Sequence, residues 1–362
     1  MVRHFYLGDI IVLWFITVII AFFAIAKFYL QGEDHSCFDQ QSNEKFPATS
    51  SIVEQQQILS RLGDIQSAGI GGNPFGKKHI GALRQVMNTM FNDKEFNAEF
   101  NTTIASGVPG EWVLAPGADT KRRVLYLHGG AFTMGSSKSH RPITTEWSRL
   151  ANAAVLVIDY RLMPENSRMD GIEDCRSAYQ WILDNGPNGE EELTSLFVSG
   201  DSAGGNLTLS LIAWVRDQGL RAPNGAVALS PQTDNTISSP SMKTNIKTDP
   251  MLGPIFGKIT KFPTAFLLWF GFLNTRINPS DPIVSPLFGN LANLPPILIQ
   301  ASASEMLVDD AKRYVSKAQQ QGSPAKLQLW DNMVHVWQIF HPDLAEATQA
   351  FDEIENFVKE VG

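Results

Sequence analysis

VSGDSAGGN, residues Val198 to Asn206, is the stretch whose reading decides the fold. It closes the apolar run Leu196-Phe197-Val198 and opens a helical pattern, NLTLSLIAWVRDQG. Between the two, Asp201 and Ser202 stand among residues with almost no side chain. The spacing Gly200-Asp201-Ser202-Ala203-Gly204, set between a strand and a helix, is that of a nucleophile elbow. The serine there occupies a strained turn, so that its hydroxyl projects above the edge of a sheet. A side chain two residues to either side would strike the incoming strand or the departing helix, which accounts for Gly200 and Gly204.

A hydroxyl is a poor nucleophile unless a base, an acid that orients the base, and donors for the oxyanion accompany it. Donors are offered by RVLYLHGGAFTMGS, Arg123 to Ser136, where a strand runs into His128-Gly129-Gly130. The backbone N–H groups of Gly129 and Gly130, with that of Ala203 directly after the serine, can form an oxyanion hole. His128 precedes the serine and reads as a structural residue of this loop. On a strand–elbow–helix scaffold the triad order is Ser, then acid, then His. His335, in LQLWDNMVHVWQIF, follows the last strand and fits the base. His341 stands before a proline and reads as a cap or surface residue. His4, His35, His79 and His140 come too early and read as structural or solvated.

The acid must follow the strand PPILIQAS. Glu305 comes directly after it. Asp309 and Asp310 lie one turn later, where acids also complement the start of a helix. Glu305 and Asp309 share a helical face. Glu305 is the choice because a loop position suits an orienting group, and Asp309 is the alternative. Asp159 precedes the serine and reads as structural.

The remaining composition excludes other classes. The chain has 362 residues, 43% hydrophobic and 18% charged, enough to bury a large core. Its net charge of -8 argues against nucleic-acid binding, which needs Lys and Arg to neutralise phosphates. Cys37 and Cys175 suggest no disulfide framework, Cys175 lying on the apolar face of a helical segment with Ile172, Ala178 and Ile182. From about residue 100, β-rich runs (EWVLA, RVLYL, AVLVIDY, LFVSG, AVALS, ILIQA, LQLW) alternate with helical patterns. That alternation predicts a mostly parallel sheet with helices on both faces.

The N-terminal part reads differently. Ile10 to Ala26 is uncharged and apolar, and with Phe28-Tyr29-Leu30 it approaches the ~20 residues that span a bilayer, with Lys27 able to snorkel. Residues 1–30 are read as an uncleaved signal anchor; cleavage at Ala24-Ile25-Ala26, giving a secreted protein, is the alternative. Arg3 before the span and Glu33, Asp34 and Asp39 after it place the N-terminus in the cytoplasm and the large domain in a lumen or outside. Residues 31–51 are polar and read as a linker; residues 52–98 read as helical. Gly71 to Lys78 (GGNPFGKK) has the spacing of a phosphate-binding loop, yet it lacks the final Ser or Thr and a preceding strand, so it reads as a helix-breaking loop.

From about Thr103 onward the chain resembles the hormone-sensitive-lipase family of α/β-hydrolases. YLHGGAFTMGS, DYRLMPEN, GDSAGGN, and SPLFGNLANLPPILIQASASEMLVDDA with a late HVW carry the resemblance. It implies an α/β-hydrolase fold with a mostly parallel eight-stranded sheet, a helical cap over residues 52–98, and a hydrolase domain over 99–362. It also implies carboxylic-ester hydrolysis with no cofactor and no metal. Two departures stand out: Ala131 replaces the third glycine of the family's HGGG, and Glu305-Met306-Leu307 replaces its Asp-Pro-Leu. The Phe-, Leu- and Trp-rich segment 235–285 is expected to help line the pocket. Small to medium acyl esters of hydrophobic alcohols, or lactones, are the expected substrates. Amide hydrolysis or deacetylation by the same triad is an alternative, as is a non-catalytic small-molecule receptor, which retention of Ser202, Glu305 and His335 disfavours.

Overall fold

A computed structural model describes residues 7–39, 44–50, 52–69 and 77–362. Its centre is a nine-stranded sheet. The strands in chain order are β1 (Glu44–Phe46), β2 (Glu99–Ala105), β3 (Val108–Leu114), β4 (Asp119–Leu127), β5 (Ala153–Ile158), β8 (Ser195–Asp201), β9 (Gly225–Leu229), β10 (Ile297–Ser302) and β11 (Ala325–Trp330), with a separate small hairpin of β6 (Asn185–Gly186) and β7 (Gly189–Glu190). Across the sheet they run β1-β11-β10-β9-β8-β4-β5-β3-β2. Only the pairings of β3 with β2 and β5 are antiparallel.

Because β4, β5 and β8 to β11 are parallel, both faces must be covered, and β5, β8, β9 and β10 are buried along their whole length. One face packs under α5 (Arg168–Asp184), α6 (Ala203–Asp217) and α10 (Val308–Gln320), through Ile172, Tyr179, Leu207, Leu211 and Tyr314. The other packs under α4 (Arg141–Ala151) and α11 (Ala345–Val361), through Trp147, Phe351, Ile354 and Phe357. Local signals set the ends of these helices. Ser167 and Asp170 form a reciprocal capping box at the start of α5, and α4 stops at Asn152, in the left-handed region with φ 46°.

The connection order sets the position of the site. Chain entering β4 proceeds to β5 on one side, whereas β8 joins β4 on the other. The loops leaving the C-terminal ends of β4 and β8 therefore open beside each other, at the switch point where parallel sheets bind ligands. Leu127 pairs with Gly200 in register, which puts His128 and Ser202 at neighbouring strand ends.

The ninth strand departs from the eight expected. Glu44–Phe46, in the segment read as a linker, pairs in parallel with β11 and covers an edge that would otherwise be open. The rest of that segment is stitched to the body as well. Asp39 pairs with buried Arg313, His35 packs on Phe288, and the N–H groups of Thr49 and Ser50 donate to the buried carboxylate of Glu346. Arg313 and one oxygen of Glu346, both buried in the body, thus take partners from this segment. β2, EFNTTIA, was also absent from the expected strands, since its alternation is weak and one side stays exposed. The loop Gly71–Gly76 lies outside the described residues; Lys77 and Lys78 open helix α3.

Helices α2 (Ile52–Gly69) and α3 (Lys77–Thr89) sit above the end of β11, where Ile58, Leu62, Leu83 and Phe91 pack with Trp330, Trp337 and Phe340. Trp330 is fully buried and stacks on Phe46 at 4.3 Å. Trp330→Ala should therefore lower stability by about 3–5 kcal/mol through the cavity it leaves. A denaturant titration checks this, and a loss below ~1 kcal/mol would contradict the packing role.

Candidate active site

Ser202 joins β8 to α6 with φ 51° and ψ -114°, a conformation that side-chain-bearing residues rarely adopt. Three backbone hydrogen bonds hold it there: its N–H donates to Leu229 O at 2.8 Å, and its own carbonyl accepts from Asn206 and, at 3.4 Å, from Gln232. A Cβ on Gly204 would collide with the carbonyl oxygens of Leu127 and His128. The elbow therefore admits no side chain at this position.

Two loops bring the partners of the serine. The loop after β11 carries His335, whose Nε2 lies 2.8 Å from Ser202 Oγ. The turn after β10 carries Glu305, whose Oε2 lies 2.6 Å from His335 Nδ1. With Glu305 ionised, Nδ1 bears the imidazole proton and donates it, leaving the Nε2 lone pair to face the serine hydroxyl. Glu305 is fully buried and His335 nearly so, whereas Ser202 is partly exposed. Burial pushes the Glu305 carboxyl up, against the hydrogen bond from His335. Burial also works against the His335 imidazolium, but the hydrogen bond and charge of Glu305 outweigh it and hold the imidazole above its ordinary value.

The loops of Glu305 and His335 are braced by side chains that sequence reading missed. Ser302 N–H donates to Glu305 Oε1, and Ser302 Oγ donates to Met333 O at 2.6 Å, tying the acid turn to the histidine loop. Ser230 Oγ accepts from Val336 N–H. Asp249 accepts from Met306 N–H with one oxygen and from Met251 and Leu252 N–H with the other. Asp249 just ahead of a short helix is a legible capping signal in the sequence. Its second partner, 57 residues on, is not.

The oxyanion side differs in one respect from the reading that gave Gly129, Gly130 and Ala203 as donors. Gly129 N–H donates to Asp201 Oδ1 at 3.0 Å, and a Cβ on Gly129 would overlap that carboxylate. Among the described residues, the N–H groups of Gly130 and Ala203 have no protein acceptor and remain available. Ala131, where the resemblance expects a third glycine, has φ 52° and Phe132 follows at φ 61°. Both hold a backbone conformation better suited to glycine.

Asp201 gathers the strand ends from beneath. Beyond Gly129 it accepts from Tyr126 OH at 2.7 Å and lies 3.3 Å from His140 Nε2. Burial would raise Asp201, but His140 and Tyr126 hold it below the usual carboxylate range. His128 stacks on Tyr160, has its Nδ1 2.8 Å from Gly129 O, and is lowered to about 4 by burial and the neighbouring His140. The other sequence candidates have different partners. Asp309 accepts from Ser241 N–H and pairs with Lys312; Asp310 accepts from Thr233, Asp234 and Ser239. Asp159 accepts from Ser137, and His341 packs on Phe351. His4 lies outside the described residues, as does the side chain of His79.

A serine hydroxyl, an imidazole, a buried carboxylate and free N–H groups at one switch point can carry out acyl transfer. An NMR titration should find the His335 pKa above 6.5, and Glu305→Gln should bring it down by removing the charge that favours the imidazolium. A value unmoved by that substitution would dissociate the pair.

The chain is similar to known hydrolases. Residues 124–339 match the model of the α/β-hydrolase fold family. An acetyl-hydrolase of Streptomyces hygroscopicus is 34% identical over 250 residues, 69% of this chain and 79% of the relative. An esterase of Acinetobacter venetianus is 34% identical over 252 residues, 70% of this chain and 79% of the relative. Among solved structures, an esterase from the bacterial hormone-sensitive lipase family superposes with a TM-score of 0.73 at 32% identity, covering 86% of this chain and 99% of that one.

Proposed function

Since this chain belongs to the hormone-sensitive-lipase family of α/β-hydrolases and is a carboxylic-ester hydrolase, we propose that it cleaves its esters through an acyl-enzyme on Ser202. His335 is the base and Glu305 the group that orients it. The observation that carries this reading is the unbroken chain Ser202 Oγ, His335 Nε2, His335 Nδ1, Glu305 Oε2, with spacings of 2.8 Å and 2.6 Å.

In this mechanism His335 Nε2 takes the hydroxyl proton as Ser202 Oγ attacks the ester carbonyl carbon. Glu305 fixes the tautomer and stabilises the imidazolium without taking its proton. The carbonyl oxygen gains negative charge and is met by the N–H groups of Gly130 and Ala203, each worth about 3 kcal/mol in comparable hydrolases. His335 then protonates the alkoxide leaving group, and the alcohol departs. Water, deprotonated by the same histidine, attacks the acyl-serine and frees the acid.

Small to medium acyl esters of hydrophobic alcohols are the substrates we assign. Helices α2 and α3 serve as the cap, and the segment 235–285 supplies part of the pocket wall. Support comes from that segment's grip on the acid turn: Asn245 donates to the carbonyls of Ala303 and Glu305, and Thr248 donates to Ser304 O. Met251 packs with the cluster of α2 and α3.

The N-terminal helix, with the apolar stretch Ile11–Leu30, could serve as an anchor or a signal sequence by length and composition. We assign it as a retained anchor, with the hydrolase body on the face opposite the N-terminus. Ala26 and Leu30 are buried against the body, and Trp269 Nε1 donates to Phe22 O, which favours retention. Arg3, on the far side of the span, lies outside the described residues. Intact-mass measurement of the mature protein should find residues 1–26 present; a mature N-terminus at Lys27 would exclude the anchor.

The first activity test is hydrolysis of p-nitrophenyl esters of increasing acyl length, beside Ser202→Ala. Short esters should be cleaved, and Ser202→Ala should lower kcat by about 10⁴-fold or more with the thermal transition retained. A Ser202→Ala enzyme of wild-type rate would refute the acyl-enzyme, and a folded wild type inert toward all acyl lengths would refute the substrate class.

A further inference from the structure

The insertion between β9 and β10 carries an outward-facing apolar surface. It contains α7 (Ser241–Thr244), α8 (Leu252–Phe256) and α9 (Thr264–Thr275). The geometry points to this surface as a second membrane contact, resting on a lipid bilayer beside the anchor helix α1 (Leu7–Ile25). The proposal rests on the anchor assignment above.

Three observations carry it. First, large apolar side chains are turned outward: Phe262 is 62% exposed, Phe266 51% and Leu273 53%. Single exposed apolar residues are ordinary, but a cluster of phenylalanines on one insertion marks an interaction surface. Second, this surface is continuous with the apolar span. Phe22 stacks on Trp269 at 5.5 Å and meets Phe266 at 5.2 Å; Phe23 meets Phe266 edge-on. Leu268 is buried with Ala26 and Leu30. The helix α9 runs alongside the end of the anchor, its N-terminal end reaching toward the span. A bilayer around α1 therefore meets Phe266. Third, the charge of this segment suits anionic headgroups. Between residues 241 and 280 the cations are Lys243, Lys247, Lys258, Lys261 and Arg276, against a single buried acid, Asp249, in a chain of net charge -8.

The depth is consistent with these positions. Phe23 lies four residues before Lys27, a helix rise of about 6 Å. With Lys27 among the headgroups, Phe266 reaches the roughly 5–10 Å at which interfacial helices rest. Lys258 and Lys261, both exposed beside Phe262, then have headgroups within snorkelling reach. The insertion that touches lipid is the same one that holds the acid turn through Asn245, Thr248 and Asp249. Docking therefore fixes the triad end of the molecule toward the surface from which a hydrophobic ester arrives.

The test uses the full chain in vesicles of phosphatidylcholine and phosphatidylserine. An environment-sensitive fluorophore is placed on Phe262→Cys, with Val18→Cys and Glu173→Cys as references, all in a Cys37→Ser background; Cys175 is buried. Nitroxide on the lipid acyl chains should quench the labels at 18 and 262 several-fold more than at 173. Lys258→Glu with Lys261→Glu should weaken the phosphatidylserine dependence of quenching at 262. If 18 is quenched while 262 stays open to a water-soluble quencher, the docking surface is refuted and the anchor stands. If 18 is not quenched, the anchor assignment itself fails. A label at 262 shielded from both quenchers would give the surface to a protein partner or a second copy, and would overturn the proposal.

Discussion

The join between β8 and α6 is the constraint on which the rest depends. Ser202 is held at φ 51° and ψ -114°, at a cost of about 1–3 kcal/mol that the surrounding packing must offset. The chain can turn that sharply only because Gly204 lets the carbonyls of Leu127 and His128 approach without a Cβ between them. The same close approach brings the end of β4 against the end of β8. The loop after β4 and Ser202 are thus neighbours for one reason: a parallel pair of strands whose following elements cannot be separated by side chains.

Two buried histidine–carboxylate pairs flank this join and differ in what they face. His335 and Glu305 face the serine hydroxyl, with the second ring nitrogen free to accept its proton. His140 and Asp201 face the backbone instead, where Asp201 collects Gly129 N–H and Tyr126 OH. Burial disfavours the charged form of each group, and in both pairs the carboxylate lifts the histidine above its ordinary value. The first pair meets a side-chain hydroxyl, and the second holds the loop after β4. An isolated buried charge would be costly at either place, which is why each carboxylate also accepts a backbone N–H.

The insertion between β9 and β10 links regions far apart in the chain. Through Asp249 and Asn245 it braces the turn of Glu305, through Met251 it joins the N-terminal helices, and through Trp269 it grips the apolar span. A segment with so many partners has a conformation set by its contacts more than by its own propensity, and its short helices reflect that.

The sequence by itself determined the parts whose signals are local. Strand and helix alternation, the sharp turn around Ser202 and the glycines after β4 were legible, because each depends on a period or a steric need within a few residues. The apolar N-terminal helix was legible for the same reason. Tertiary structure decided the rest. The ninth strand at Glu44–Phe46 is too short to carry a pattern and exists because β11 offers an open edge. Glu305 and Asp309 share a helical face on the sequence alone, and the turn after β10 directs one carboxylate to His335 and the other to Ser241 and Lys312. Gly129 was counted as a free donor until Asp201, packed beneath it, took its N–H. Hydrogen bonds between residues far apart in the chain have no period to betray them, so only the folded arrangement could assign them.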